Sequence, residues 1–457
     1  MTERLPRVHG RAPRVALLVY NQVSTDSRVL KTAASLRAAG AEVLVVGSAR
    51  PGYPAGADLV GDALPIHRAS DLDLVRLLPW LARGVRRLRA ARADAVRDAP
   101  AAPPPRGEPA ADVDTPSVTP APARRSVRSL VADAWMRLYQ SARLVWFWAG
   151  AVRRLRQWRP DVVHANDGNT LAPAMLVRAS VGARIVYDAH ELWTRRNVRG
   201  DRLLAPLVEA VTEWLGVRAS AGVITVSPSI VTWMRRRFRL RTPPTLVRNI
   251  PHRRGAVPVP ADGRLRELAG LPAHARVIAY AGGVTTGRGL EETVDALTEL
   301  DDDTHLVMLG YGDAGYVEGL LARAAAAGVG DRVHLVGPVP GPEVPRTLAD
   351  ADVSVVYVRP ICLSYRYSLP NKLFESIHAG LPVVAADLPD TAAVVREHGI
   401  GEVFGAGRPD QLAAAVERVL ADEGRYRAAS RAAAEELDWS HEAAELVALY
   451  ARVLDAP

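Results

Sequence analysis

The chain has 457 residues, with 58 basic and 50 acidic side chains and a formal net charge of +8 at pH 7. This length allows two or three domains, and the basic excess favours acidic partners such as nucleotides, anionic lipid or nucleic acid. The single cysteine, Cys362, excludes an intrachain disulfide and is typical of a reducing compartment. No apolar run reaches the ~20 uncharged residues of a spanning helix, and residues 1–13 lack a signal-peptide core, so we expect a cytoplasmic protein.

The first predicted unit is a strand, a loop and a helix. Residues 14–20 contain the apolar run of a buried strand, and residues 28–39 carry apolar side chains at helical spacing. Another strand follows, and this alternation predicts a parallel sheet, in which ligands bind at the carboxyl ends of the strands. Asn21, Asp26 and Arg28 should therefore face a cleft, although Asp26 is equally suited to cap the helix.

Residues 72–160 interrupt the alternation. Residues 72–97 are predicted to be an arginine-rich helix, residues 99–123 a disordered Pro/Ala-rich segment, and residues 125–159 a second helix. Arginines surround an apolar stripe on the second helix, formed by Trp135, Leu138, Ala142, Val145, Ala149 and Val152. Such a helix suits an anionic membrane surface, with the protein peripheral on the inner face of the plasma membrane. The alternative is that the stripe packs on the protein's own sheet.

Two later strands end in polar residues. The first leads into His164 and Asp167, and the second, residues 184–187, leads into the run Asp188-Ala189-His190-Glu191. Because parallel strands end at the same edge of a sheet, His164, Asp167 and His190 should lie beside the cleft. A lone histidine is more often structural, but this placement favours a functional role for His190.

A second alternating pattern follows. The strand at 277–281 leads into a glycine-rich loop, residues 282–289, and then into a helix. Glycine permits close backbone approach to a phosphate, and the guanidinium of Arg288 can bind its oxygens. The spacing differs from the known phosphate-loop signatures, so a structural turn is the alternative. Two further predicted strands of this sheet end near Gly310 and Val339.

Residues 368–384 predict a loop, a short helix and a buried strand. Pro370 suits the first helical turn, and Ser368 can cap it. A helix start offers free N–H groups and a positive dipole end to a phosphate, and Lys372 adds a charge there. Glu375 lies one turn further on the same face. The alternative for Lys372 and Glu375 is a surface ion pair worth ~0.3 kcal/mol.

The segment just described resembles the donor site of retaining glycosyltransferases of family 4, which have the GT-B fold. The residues that carry this resemblance are Pro370, Asn371, Lys372, Glu375, Gly380, Pro382, Val383 and Val384. The runs Asp26-Ser27-Arg28-Val29 and Asp188-Ala189-His190-Glu191 also resemble family segments. The resemblance implies an α/β protein with two Rossmann-like, doubly wound domains facing each other across a cleft, and with a helical and disordered insertion in the first.

The resemblance also implies roles for single residues. Glu375 would hold the ribose hydroxyls of a sugar nucleotide, Arg288 its pyrophosphate, and His190 the transferred sugar. With Lys372, Arg288 and His190 form the expected catalytic set. The other expected donor-binding residues are Gly283, Gly310, Val339, Ser368, Leu369, Pro370 and Asn371. The expected acceptor-side residues are Asn21, Asp26, Arg28, His164 and Asp167.

Two positions depart from the family pattern. Tyr367 occupies the position of a glutamate that family members often carry eight residues before Glu375. That glutamate holds the transferred sugar in the family, so this contact is expected to differ here. Gly283 stands where many members have an arginine, which removes one charge from the phosphate loop.

The resemblance divides the chain into three parts. Residues 14–250 form an acceptor-side domain, residues 251–437 a donor-binding domain, and residues 438–457 a closing helix that returns to the first domain. The run Arg248-Asn249-Ile250-Pro251 resembles the family's hinge.

The expected reaction is sugar transfer from a nucleoside diphosphate sugar to a lipid-linked or cell-envelope glycan, with retention of configuration. No cofactor or metal is expected, because the one acidic run, Asp301-Asp302-Asp303, precedes its strand at the edge opposite the cleft and suits a solvated turn. A sugar-nucleotide epimerase of the same architecture and a non-catalytic sugar-nucleotide-binding subunit are the alternatives. A nucleic-acid binder is disfavoured, since the sequence carries no motif of that class.

Overall fold

The computed structural model describes residues 4–61, 63–72, 127–197, 205–253 and 255–455; side chains at 127–134 are not described. The helix predicted over residues 72–97 and the disorder predicted over residues 99–123 lie outside the described residues. Within these ranges, no helix is long and apolar enough to cross a bilayer.

The first sheet lies in the N-terminal half and, within the described residues, has the strand order β3-β4-β2-β1-β5-β6-β7-β8. All neighbouring strands are parallel except the β3–β4 pair. Its strands are β1 (Arg14–Leu18), β2 (Glu42–Ser48), β3 (Gly56–Val60), β4 (Leu64–Ala69), β5 (Val162–Asn166), β6 (Arg184–Ala189), β7 (Gly222–Thr225) and β8 (Thr245–Leu246). Chain order reverses at β1, which pairs with β2 on one side and β5 on the other, so the cleft opens beside the ends of β1 and β5.

Helices cover both faces of this sheet. They are α1 (Ser27–Ala38), α2 (Val127–Trp158), α3 (Leu171–Val181), α4 (Ala205–Ala219) and α5 (Pro228–Phe238). Asp26 begins α1 by accepting a hydrogen bond from the backbone N–H of Val29 at 3.1 Å. Successive helices from α2 to α5 contact one another in a single layer.

Helix α2 confirms the second helix predicted within residues 72–160, but much of the predicted stripe faces outward. Trp135, Leu138 and Val145 are 42%, 63% and 56% exposed. The residues that pack on the sheet are instead Phe147, Ala151 and Leu155, which are buried. Helix α2 therefore packs on the protein's own sheet through Phe147, Ala151 and Leu155, with Val152 of the stripe against the same core, whereas Trp135, Leu138 and Val145 leave an exposed apolar surface.

The second sheet has the order β11-β10-β9-β12-β13-β14 in the described residues, and its neighbouring strands are parallel. Its strands are β9 (Arg276–Ala281), β10 (Thr304–Leu309), β11 (Val333–Gly337), β12 (Val353–Val356), β13 (Val383–Ala386) and β14 (Gly401–Phe404). Chain order reverses at β9, between β10 and β12. The loops after β9 and β12 therefore meet at the carboxyl edge.

The remaining helices cover the second sheet, except the last. They are α6 (Leu265–Ala269), α7 (Leu290–Ala296), α8 (Ala314–Ala326), α9 (Val344–Leu348), α10 (Leu363–Arg366), α11 (Asn371–His378), α12 (Pro389–His398), α13 (Pro409–Ala421), α14 (Glu423–Glu436) and α15 (Trp439–Asp455). Helices α13 and α14 follow each other with Asp422 between them.

Helix α15 packs back on the first sheet. Its buried side chains Leu446 and Val453 belong to the same core as Val15 and Val162 of the central strands. Tyr450 is fully buried there, and its hydroxyl lies 2.9 Å from Nδ1 of His164. The chain thus crosses between the two sheets twice, near residue 250 and before α15, as expected for the GT-B fold.

Candidate functional site

A cleft of about 670 Å³ lies where the carboxyl edges of the two sheets face each other. Both sheets contribute to its lining. Of the residues predicted from sequence, the lining includes Asn21, Asp26, Arg28, His190, Gly283, Arg288, Ser368, Leu369, Pro370, Asn371, Lys372 and Glu375. The cleft therefore brings together the predicted phosphate loop, residues 368–375 and His190.

The glycine-rich loop after β9 lies open to the cleft. No atom lies within 4 Å of the position that a Cβ would take at Gly283, and the carbonyl of Gly283 accepts a hydrogen bond from the Tyr280 hydroxyl at 2.8 Å. At Gly289 the backbone φ is +69°, and a Cβ would come within 1.8 Å of the Tyr357 ring. A side chain at Gly289 would therefore force the loop away from β12.

Two cations converge beside this loop. The Nζ of Lys372 donates to the carbonyl of Tyr357 at 2.9 Å and lies 4.1 Å from the Tyr280 ring centroid. The guanidinium of Arg288 lies 5.4 Å from the Tyr365 ring. Burial, with the nearby charge of Arg288, lowers the pKa of Lys372 well below its usual value. Within the described residues neither cation forms an ion pair with a carboxylate, so the cleft holds positive charge suited to an anion.

The start of α11 is capped differently from the prediction. Pro370 occupies the cap position, and the hydroxyl of Ser368 donates to the Tyr365 carbonyl at 2.8 Å instead of capping the helix. Leu369 is buried, whereas Asn371 is exposed. The N–H groups of the first turn are thus left free of a side-chain cap.

Glu375 is a partly buried carboxyl group rather than half of a surface ion pair. Burial raises its pKa to about 7, while the charges of Lys31 and Lys372 act in the opposite direction. Lys31 belongs to α1 of the first sheet. Its Nζ donates to the carbonyl of Ile250 and lies 4.6 Å from the Trp439 ring, and burial lowers its pKa to about 7.

His190 is held between two carboxylates. Its Nδ1 lies 3.5 Å from Asp167 and its Nε2 lies 3.3 Å from Asp188. Burial alone would lower its pKa, but the charges of Asp167 and Asp188 raise the pKa to about 9. The backbone of Asp167 has a φ of +61°, an uncommon conformation that places its carboxylate against the ring and the N–H of His190. At neutral pH the imidazole is therefore cationic.

Three predicted acceptor-side residues differ from expectation. Arg28 is 3% exposed and binds Asp188 through two hydrogen bonds of 2.7 and 2.9 Å, so its charge is neutralised below the cleft. His164 is fully buried between Tyr450 and Asp188 and does not line the cleft. Asp167 likewise lies behind His190. His164 and Asp167 lie below the cleft's lining, and Arg28 reaches the lining with its guanidinium bonded to Asp188, so all three support Asp188 and His190.

Asn21 and Asp26 do reach the cleft, but they are bonded to each other. The amide of Asn21 donates to Asp26 at 2.8 Å, while the second oxygen of Asp26 caps α1. The capping role considered for Asp26 is therefore present, and it fixes the loop after β1.

Two predicted donor residues lie outside the lining. Gly310 packs below the loop, where a Cβ would come within 1.9 Å of the Gly282 carbonyl oxygen, so it supports the loop without facing the cleft. Val339 packs on the core beside β11. Tyr367 also lies outside, and lines a neighbouring cavity with Trp233.

Sequence reasoning missed two residues that line the cleft, and a lysine whose charge acts on Glu375. Glu191 lines it, and burial raises its pKa while Ser364 hydrogen-bonds to its side chain. Ser364 is 3% exposed and also accepts from the N–H of Leu192, so it joins α10 to the loop after β6. Lys31 had a usable signal, because the chain has only two lysines, Lys31 and Lys372, and both act on Glu375.

The acidic run after α7 is a solvated turn. Asp301 and Asp303 lie 3.3 and 3.8 Å from Arg276, and Asp302 lies 3.6 Å from Arg332. Among the described residues, no group of three or more potential ligands could hold a metal ion.

Family models match both halves of the chain. The model described as "Glycosyl transferases group 1" matches residues 275–422, and the model described as "Glycosyltransferase Family 4" matches residues 101–252. The two matches fall on the second and first sheets, respectively.

Curated relatives have related names. A D-inositol 3-phosphate glycosyltransferase from Xylanimonas cellulosilytica is 35% identical over 208 residues, which is 43% of this chain and 48% of the relative. A phosphatidyl-myo-inositol mannosyltransferase from Mycobacterium leprae is 26% identical, over 66% of this chain and 76% of the relative. The chain thus spans about half the length of the first relative and three quarters of the second.

Solved structures share the fold along nearly the whole chain. A sucrose-phosphate synthase from Thermosynechococcus elongatus has a TM-score of 0.67 at 16% identity, covering 96% of this chain and 98% of that chain. HepE from Anabaena, solved in complex with UDP-glucose, has a TM-score of 0.62 at 15% identity, covering 95% and 98%. These likenesses show the GT-B fold, and the two family models, which match residues 101–252 and 275–422, place the chain among the glycosyltransferases of family 4.

Proposed function

We propose that this glycosyltransferase moves a sugar from a nucleoside diphosphate sugar to a hydroxyl group of an acceptor, with retention of configuration. The observation that carries the proposal is the pair of cations, Arg288 and Lys372, which lack a carboxylate partner in the described residues and lie at the phosphate loop. A diphosphate supplies the charge that this pair lacks.

The donor would lie on the second sheet. Its diphosphate would bind between the loop at Gly283 and the start of α11, and its ribose hydroxyls would donate to the carboxylate of Glu375. The likeness to HepE, solved with UDP-glucose, supports a nucleotide sugar of this kind.

In the reaction, the bond between the anomeric carbon and the leaving phosphate oxygen breaks, and negative charge develops on the diphosphate. Arg288 and Lys372 are placed to stabilise that charge without a metal ion. The acceptor oxygen bonds to the anomeric carbon on the face that the diphosphate leaves, and its proton passes to the leaving diphosphate. His190 is protonated at neutral pH, so it can donate to the sugar but cannot take the acceptor's proton.

The acceptor would approach from the first sheet. The names of the relatives support a polyol such as an inositol, and a lipid-linked or cell-envelope carrier fits the outward-facing apolar stripe of α2. Arg153 and Arg156 are exposed on that helix, so we propose that α2 contacts an anionic membrane surface.

A transfer assay tests the proposal. Purified protein is incubated with UDP- and GDP-sugars and an inositol phosphate or a membrane extract, and the products are analysed for new glycosidic bonds and their configuration. Retained glycoside and free nucleoside diphosphate are expected. A changed sugar nucleotide in the absence of acceptor would instead identify an epimerase, and binding without turnover across the donors would favour a non-catalytic subunit.

A further inference from the structure

A groove rich in arginine runs along α5, outside the catalytic cleft. Two adjoining cavities of about 540 and 410 Å³ form it, and they share Thr232 and Arg236. Its lining includes Trp233, Arg235, Arg237 and Arg239. A basic run on a helix is usually a solvated face, but a concave basic surface with an aromatic side can enclose an anionic group.

The charge of this groove is largely unbalanced. Arg235, Arg236 and Arg239 are exposed, and in the described part of the chain none forms an ion pair with a carboxylate. The charge of Arg237 does act on Glu213. Asp390 reaches the groove's end, but it accepts hydrogen bonds from the N–H and hydroxyl of Ser229 and so caps α5.

An apolar stripe lies on the neighbouring helix α4. Leu207, Val208, Val211, Trp214 and Leu215 are between 41% and 65% exposed. Their spacing of three, four and seven residues places them on one face of the helix. Helix α4 contacts α5, so basic and apolar exposed side chains lie on neighbouring helices, a combination that anionic lipid interfaces favour.

The groove begins next to the catalytic cleft. The hydroxyl of Ser227 donates to the carbonyl of Tyr367 at 2.7 Å, and Tyr367 lines the groove. The next residue, Ser368, lines the catalytic cleft. Two consecutive residues therefore line the groove and the catalytic cleft, respectively.

We propose that the arginine groove of α5 binds the phosphate groups of anionic phospholipids, while the apolar stripe of α4 lies in the interface of the same leaflet. This surface is separate from the stripe of α2 and would bring the membrane to the edge of the catalytic cleft. Its use in catalysis rests on the proposed transfer to a lipid-linked acceptor, whereas lipid binding itself does not.

Vesicle sedimentation tests the inference. The full chain is mixed with phosphatidylglycerol-containing and with pure phosphatidylcholine vesicles. The groove variant carries Arg235→Gln, Arg236→Gln and Arg239→Gln, and the stripe variant carries Leu207→Gln, Val211→Thr and Leu215→Gln. The matched control carries Arg323→Gln, Arg396→Gln and Arg408→Gln, which remove the same charge from the exposed surface of the second sheet's helices and loops. Circular dichroism and calorimetric binding of UDP and GDP verify that each variant is folded.

Wild type and control should pellet with anionic vesicles only, and should be released by high salt. The groove variant should lose roughly 100-fold in partition, and the stripe variant should also pellet less at low salt, because less apolar surface enters the interface. Equal pelleting of the groove and control variants would overturn the inference, as would the absence of pelleting by wild type. A thermal shift by inorganic phosphate that the groove variant loses, without any vesicle binding, would also overturn it in favour of a soluble anion. Nucleotide binding that persists in these cases leaves the donor site intact, so the two proposals fail separately.

Discussion

Lys31 of α1 and Glu375 of α11 act on each other's ionisation, although their helices pack on different sheets. Burial brings the pKa of the amine down to about 7 and that of the carboxyl up to about 7. Near neutral pH a small change in solvation or in the approach of the two sheets therefore changes the charge of both groups.

Donor affinity should rise with pH through about 7. The carboxylate form of Glu375 is the one that accepts hydrogen bonds from ribose, and this form is lost as pH falls through its raised pKa. Affinity for UDP-glucose, whose diphosphate does not titrate in this range, should increase about tenfold from pH 6 to pH 8. Calorimetry at several pH values measures this, with Glu375→Gln as the control that should remove the dependence.

Lys31 should set the position of that pH curve. Its charge lowers the pKa of Glu375, so Lys31→Met should raise this pKa and move the rise in affinity to higher pH. Arg323→Met, on a helix away from the cleft, should leave the curve in place. If Lys31→Met leaves the pH dependence of affinity unchanged, the charge of Lys31 does not set the pKa of Glu375, and the prediction is contradicted.

Asp167 should keep His190 protonated. Because the charge of Asp167 raises the pKa of His190, Asp167→Asn should lower that pKa from about 9. The raised pKa stabilises the folded protein fully below the unfolded value of 6.5, and this contribution is lost as pH rises through about 9. The fall in the thermal midpoint between these values should thus be smaller in Asp167→Asn. Histidine NMR titration measures the pKa directly, with Asp410→Asn as the remote control.

The buried Arg28–Asp188 pair should be costly to break. Arg28→Met removes the guanidinium that forms two hydrogen bonds to the carboxylate of Asp188, 1% exposed, and should lower the free energy of unfolding by ~3–5 kcal/mol. The double variant Arg28→Met, Asp188→Leu should recover much of this loss. The exposed pair Arg323–Asp295 is the control, since Arg323→Met should cost ~0.5 kcal/mol. Urea unfolding that shows equal losses at both pairs would contradict the structural role of Arg28.

Transfer should proceed without a divalent metal. The positive charge for the leaving diphosphate comes from Arg288 and Lys372, and the described residues contain no group of three potential metal ligands. Activity should persist in EDTA. Its complete loss, with recovery on addition of Mg²⁺ or Mn²⁺, would show that a metal supplies this charge instead.

The order of strands and helices was largely predictable, because apolar runs such as that of β1 alternate with helical spacing and end in polar loops. The motif around Lys372 and Glu375 was equally visible in the sequence, because a helix start followed by a buried strand is a local pattern. The sequence could not show how deeply individual side chains are buried. Arg28 and His164 were predicted to face the cleft because they lie near the ends of strands. In the structure both are buried, since each contacts the buried carboxylate of Asp188. The stripe of α2 shows the same limit, because periodicity identifies an apolar face but not whether the sheet covers it.

The most direct test of the account is calorimetric titration of UDP and GDP into wild type, Arg288→Ala and Glu375→Ala. In the proposed donor site Arg288 binds the diphosphate and Glu375 accepts from ribose, so each change should cost ~1.5–3 kcal/mol, or roughly 10- to 150-fold in affinity. Arg396→Ala, on an exposed pair of the second sheet's helices, should bind as wild type does. Wild-type binding of at least one nucleotide with clear weakening in both cleft variants is the result that we predict; unchanged affinity in both would contradict the assignment of the donor site.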